Sequence, residues 1–101
     1  MANKPHPVHP GEILREDVLI PLGMSMNQLA KELKVPAGRL SQIVKGQRAI
    51  TADTSLRLAR YLGSSPRFWL NIQVHYDMEI ARLAKEKEIT RTIRPRAGIA
   101  A

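Results

Sequence analysis

SMNQLAKELKVPAGRLSQIVKGQR, residues 25–48, is the stretch whose reading decides the fold. Ser25 suits a helix N-cap, because its hydroxyl can accept one of the backbone N–H groups that a first turn leaves unpaired. Leu29, Ala30 and Leu33 recur at the three-and-four spacing of a single buried helical face. Lys34 and Val35 make a tight connection, and Pro36 opens a second helix, where its missing N–H costs nothing. In that helix Leu40 and Ile43 turn inward and Gly46 ends it, so the two helices share a small core. Two short helices joined by so few residues have the layout of a DNA-reading helix-turn-helix. An ordinary helical hairpin with a solvated polar face has the same spacing. The outward face of the second helix has to decide between them.

At about 100° per residue, Gly38, Ser41, Gln42 and Lys45 fall roughly opposite Leu40 and Ile43, with Ala37 and Arg39 at the edges. Small residues near the helix start let the backbone approach a major groove. Gln42 carries the donor and acceptor that pair bidentately with an adenine edge. Lys45, Gln47 and Arg48 cluster where phosphates or the next base pair would lie. That face suits DNA.

The chain has 101 residues, a single-domain length with room for one modest core. Its 44% hydrophobic content argues for a folded protein, and with 4% aromatic residues the core must be aliphatic. Net charge is +7, and it is unevenly spread: −1 over residues 1–24, +4 over 25–48, +1 over 49–84 and +3 over 85–101. The proposed reading unit and the tail thus carry most of the positive charge. Such a balance suggests a polyanionic partner, most often nucleic acid.

Other chemistries find little support. There is no cysteine, which excludes disulfides and thiolate catalysis and fits a reducing cytoplasm. No apolar run approaches the ~20 residues needed to span a membrane, and MANKPHPVHPGE has no apolar segment of the kind a secretory signal requires. A soluble cytoplasmic protein is expected. His6 and His9 lack a cysteine or third ligand nearby, so no metal is expected. No Ser/His/Asp arrangement or glycine-rich phosphate loop is present, and neither an enzyme nor a cofactor is expected. His75 and Asp77 stand two residues apart on one helix and point to different sides. Glu86 and Glu88 alternate with lysines, as a solvated charge run does.

Around the central stretch the chain reads as all-α with five helices. Residues 1–8, with Pro5 and Pro7, read as a flexible arm. A first helix begins at His9-Pro10-Gly11-Glu12, buries Ile13, Leu14, Val18 and Leu19, and should end at Pro21. After Gly46 a loop with one apolar anchor, Ile50, leads to Thr51, a credible N-cap for a helix over Ala52–Leu62. Asp53 is favourable in its first turn; Leu56, Leu58, Ala59 and Leu62 should face the core, with Gly63 closing the helix. Ser65-Pro66 repeats a helix-start signal for a last helix running to about Lys85. Trp69, Ile72, Tyr76, Ile80 and Leu83 form one apolar stripe on it, widened by Leu70, Val74 and Ala81. Part of the stripe should close the core, Trp69 and Tyr76 being candidates. The surplus predicts a self-association face and a two-fold dimer. The organisation expected is an arm over 1–8, a helix-turn-helix domain over 9–86, and a basic irregular tail over 87–101.

HPGEIL (9–14), residues 25–63 and SPRFWLNIQVHYD (65–77) together resemble the HigA-type antitoxins, a branch of the phage-repressor-like (XRE-type) helix-turn-helix superfamily. The resemblance stops in the tail. It implies a compact all-α DNA-binding domain whose extended last helix serves dimerisation. It also implies a protein that represses its own operon at a palindromic operator and neutralises a HigB-type, ribosome-dependent mRNA-cleaving toxin encoded beside it. Carried over by position, Ala37, Gly38, Arg39 and Gln42 would face bases. Ser25, Asn27, Ser41, Lys45, Gln47 and Arg48 would meet phosphate, with Arg48 also able to reach a base. The Pro36-Ala37-Gly38 start departs from the polar residue common there, so specificity would rest on Arg39, Gln42, Arg48 and DNA shape. A stand-alone repressor without a toxin is the alternative. An interaction protein that uses only the Trp69–Leu83 stripe is a third reading.

Overall fold

A computed structural model describes residues 7–98, and within them five helices and no strand are found. Most of the expected arm over 1–8, including His6, lies outside the described residues, as do residues 99–101. His9 opens the first helix, its Nδ1 accepting the Gly11 N–H at 2.9 Å, with Pro10 in the first helical position. The chain then passes without a break through α-helical Pro10–Leu14, π-helical Arg15–Leu19 and α-helical Ile20–Leu22, together α1. Pro21 does not end this helix where its position predicts. The π-helical turn ahead of it absorbs the proline: the Ile20 N–H reaches back five residues to the Arg15 carbonyl. That wider register relieves the clash a proline ring makes with the turn before it. The helix stops two residues later at Gly23, in the left-handed region at φ 63°. Gly23 N–H donates to the Ile20 carbonyl and Met24 N–H to that of Leu19, at 3.1 and 2.9 Å, a Schellman closure.

Helix α2, Met26–Leu33, begins with a reciprocal cap. Gln28 N–H donates to Ser25 Oγ at 3.0 Å, while Ser25 N–H donates to Gln28 Oε1 at 2.8 Å. Its end is closed by Lys34 at φ 61°, the sole non-glycine residue with positive φ among those described. Helix α3, Ala37–Val44, follows with Pro36 just outside it as N-cap rather than as its first residue. Gly46, at φ 75°, closes α3.

Helix α4, Ala52–Leu62, is capped by Thr51 and buries Thr54, Ser55, Leu58 and Ala59. Leu56, expected on the core face, is 57% exposed. It lies about 200° around the helix from Leu58, so both cannot face inward.

Helix α5, Phe68–Thr92, does not start at the Ser65-Pro66 signal and has no side-chain cap of its own. The cap comes from α4. Ser55 Oγ accepts the Leu70 N–H at 3.1 Å and donates to the Pro66 carbonyl at 2.8 Å. At its other end α5 runs past Lys85 and into the segment expected to be irregular, which is helical to Thr92; residues 93–98 are not. Ion pairs of Arg82 with Glu79 and Glu86 one turn away, and the good helix formers of Lys85–Glu88, account for the extension.

The core lies between these helices. Leu14, Leu29, Leu40, Ile43 and Leu58 are fully buried, with Ile50 and Trp69 nearly so, and each large aliphatic side chain contributes about 2 kcal/mol. The stripe on α5 divides: Trp69 is core and Ile72 and Tyr76 are half-buried, whereas Ile80 and Leu83 are 43% and 61% exposed. Where α1 crosses α3 the backbones touch. A Cβ at Gly11 would sit 1.8 Å from the Ile43 carbonyl oxygen.

Candidate nucleic-acid interface

Helix α3 carries its polar residues where helical geometry puts them. Ala37, Gly38 and Gln42 are exposed along it, and Lys45, Gln47 and Arg48 are exposed just beyond its end. Ser41 is half-buried at the edge. No side chain caps α3, so its first turn presents backbone N–H groups flanked only by small residues. Ser25 and Asn27 are exposed at the start of α2, and the Ser25 hydroxyl is already engaged in its cap.

Two of the expected base-reading residues are brought together. Arg48 Nη1 donates to Gln42 Oε1 at 3.1 Å, which joins a side chain on the helix to one in the following loop. Gly46 makes this possible, because its positive φ turns the chain back over the helix end. There Gln47 N–H donates to the Gln42 carbonyl at 2.8 Å. The pair keeps the Gln42 amide NH2 and most guanidinium donors of Arg48 available outward.

Arg39 goes elsewhere. Its Nη1 donates to Asp53 Oδ2 at 2.8 Å, and its side chain is only 27% exposed. The same carboxylate oxygen accepts from Arg57 Nε at 2.9 Å. Arg57 in turn donates through Nη1 to the Leu33 carbonyl at 2.9 Å, at the end of α2. The hydrogen bonds from Arg57 and Arg39 hold the Asp53 carboxyl below its usual range, so it stays ionised.

Several contacts that fix this surface did not follow from the sequence, and Gln73 was not singled out there at all. Gln73, only 4% exposed on α5, accepts the Ile50 N–H through Oε1 at 2.8 Å and donates through Nε2 to Asp77 at 3.0 Å. It thereby ties α5 to the loop that follows α3. His9 packs edge-on against Tyr76, ring centroids 4.9 Å apart, and burial lowers its pKa against the opposing pull of Asp77 and Glu12. The four-residue spacings Asp53/Arg57 and Gln73/Asp77 were visible signals. Their long-range partners, Arg39 and Ile50, were not. Among the described residues no group of three His, Asp or Glu could hold a metal ion, and no helix is long and apolar enough to cross a membrane.

These features define a helix-turn-helix protein, and the helix-turn-helix family model matches residues 14–69. A solved structure of an addiction module antidote protein of the HigA family from Coxiella burnetii is 47% identical. It superposes with a TM-score of 0.86 and covers 90% of this chain and 99% of its own. The antitoxin HigA of Pseudomonas aeruginosa, solved with the higBA promoter, is 43% identical with a TM-score of 0.86, over 89% of this chain and 98% of that one. Virulence-associated protein I of Dichelobacter nodosus is 52% identical over 79 residues, 78% of this chain and 73% of the relative. The chain belongs to the HigA family of helix-turn-helix antitoxins.

Proposed function

We propose that this chain is an antitoxin that binds a palindromic operator in its own promoter as a homodimer, represses that operon, and neutralises a HigB-type mRNA-cleaving toxin encoded beside it. The Gln42–Arg48 pair, exposed where α3 meets the loop after it and within the most basic segment of the chain, carries the DNA-binding half of the reading. Gln42 and Arg48 read base edges, and Ala37 and Gly38 let the helix start come close to the groove. Ser25, Asn27, Ser41, Lys45 and Gln47 meet phosphates, which position the helix without choosing a sequence. The solved complex of the Pseudomonas aeruginosa relative with its promoter supports the operator as target. Exposed Ile80 and Leu83, which continue the face of Ile72 and Tyr76 along α5, supply an apolar surface for a two-fold partner, and the two recognition helices then meet half-sites about 34 Å apart. The protein acts in the cytoplasm by binding alone, with no cofactor and no catalytic step.

The test is a titration of the full chain against its own promoter palindrome and a scrambled duplex, at several salt concentrations. The wild type prefers the palindrome; equal affinities overturn the repressor half. Gln42→Ala relaxes preference at one position per half-site, costing about 1–3 kcal/mol on the operator. Lys45→Ala weakens both duplexes alike and lowers the salt slope by about one. Co-expression with the neighbouring gene tests the antitoxin half: growth rescue with co-purification is expected, and failure of both overturns it.

A further inference from the structure

We propose that Asp53 is a specificity-determining residue of this interface: it keeps the guanidinium of Arg39 on the protein and off the DNA, leaving sequence to Gln42 and Arg48. The inference rests on the DNA-binding reading above and names a device within it.

Arg39 stands on the recognition helix, one turn before Gln42. An arginine there is well placed to find a phosphate, since it presents five donors on a planar cation. Left free it would add affinity for every sequence. The structure engages it instead. Arg39 Nη1 is 2.8 Å from Asp53 Oδ2, and the Arg39 side chain is 27% exposed.

Asp53 is itself held. Arg57 donates to the same carboxylate oxygen at 2.9 Å and to the Leu33 carbonyl at 2.9 Å, so the acceptor for Arg39 is braced against the turn between α2 and α3. Asp53 is half-exposed, at 53%, and an ion pair at such a surface adds little to folding. It acts instead on what the recognition helix presents: removing one freely placed cation removes one counterion's worth of salt-dependent, sequence-independent binding.

A carboxylate beside DNA could also act by repelling phosphate directly, without Arg39. A four-way comparison separates the two. The wild type, Asp53→Asn, Arg39→Ala and the double variant are titrated with the operator palindrome and a scrambled duplex over a salt series. Asp53→Asn is expected to bind the scrambled duplex about five-fold more tightly, steepen its salt slope by about one, and narrow the operator-to-scrambled ratio. Arg39→Ala added to Asp53→Asn is expected to return slope and ratio to wild-type values. The proposal is overturned if Asp53→Asn leaves slope and ratio unchanged or weakens operator binding. It is equally overturned if its effects persist in the Arg39→Ala background. Should Asp53→Asn fail to fold by circular dichroism, Arg39→Ala alone decides: retained base preference supports the proposal and lost preference overturns it. A wild type that binds both duplexes equally instead fails the DNA-binding reading, and is recognised before any variant is compared.

Discussion

Lys34 is the residue on which the turn of the motif closes, and its side chain is ill suited to its backbone. At φ 61° it occupies the left-handed region, which costs an L-residue about 1–2 kcal/mol. The strain is tolerated because the turn needs that conformation: Lys34 N–H donates to the Lys31 carbonyl and Val35 N–H to that of Ala30, at 3.2 and 3.0 Å. Glycine would adopt it without penalty, though with more freedom to lose on folding. Lys34→Gly is therefore expected to raise stability by about 0.5–1 kcal/mol, read from the midpoint of a urea transition at unchanged slope. At this scale the sequence was legible where a residue acts on its own neighbourhood, as Ser25 does. It was least legible for buried polar residues. Gln73 and Ser55 sit in the core because each finds a backbone partner on another element, Ile50 for one and Pro66 with Leu70 for the other. Nothing local marks such a pairing.

The same contrast governs the elements. The face of α3 and the cap of α2 followed from spacing, because both depend on residues within one turn. Pro21 misled because the usual rule assumes an α-helical register before the proline, and here a π-helical turn stands there. Ser65-Pro66 misled because the N-terminus of α5 takes its cap from α4. Helix α1 carries a cap that responds to pH. His9 Nδ1 accepts the Gly11 N–H, and burial lowers the His9 pKa below its ordinary 6.5. As pH falls through 6.5 the unfolded chain takes up a proton that the folded chain resists. The contribution is thus whole above that value and shrinks below it, toward the lowered folded pKa. His9→Asn keeps a capping acceptor but cannot titrate. Melting temperatures taken from about pH 7.5 to 5.5 should decline less for this variant than for the wild type.

For the whole molecule, the core leaves two surfaces exposed, a basic segment and the outer stripe of α5. The basic segment runs from α2 through α3 to the loop after it, whereas the outer part of α5 interleaves exposed Ile80, Leu83 and Ile89 with Arg82, Lys85, Lys87 and Arg91. Composition announced both, but not where the division would fall along the stripe. The core takes Trp69 and half of Ile72 and Tyr76, and leaves Ile80 and Leu83 outside. Because Leu83 is 61% exposed, Leu83→Glu should leave the fold of one copy intact. A charge placed in an apolar interface is costly. The variant is expected to sediment as a monomer and to bind the palindrome at least about ten-fold more weakly, with an unchanged helical circular-dichroism spectrum. A dimer that survives the substitution would place the interface elsewhere.

Among the described residues, helix α5 meets the core near its start, through Trp69, Ile72, Gln73 and Tyr76. From Asp77 to Thr92 it projects past the core as an arm of about 24 Å. Such an arm multiplies small rotations: a tilt of about 5° where it is gripped carries its far end through roughly 2 Å. In a dimer joined along the projecting part, that leverage also works in reverse, from the joint back to the two recognition helices. In such a dimer a slightly smaller side chain under Trp69 would re-aim both helices together, so the half-site spacing the pair can span would follow from packing in the core, remote from the groove.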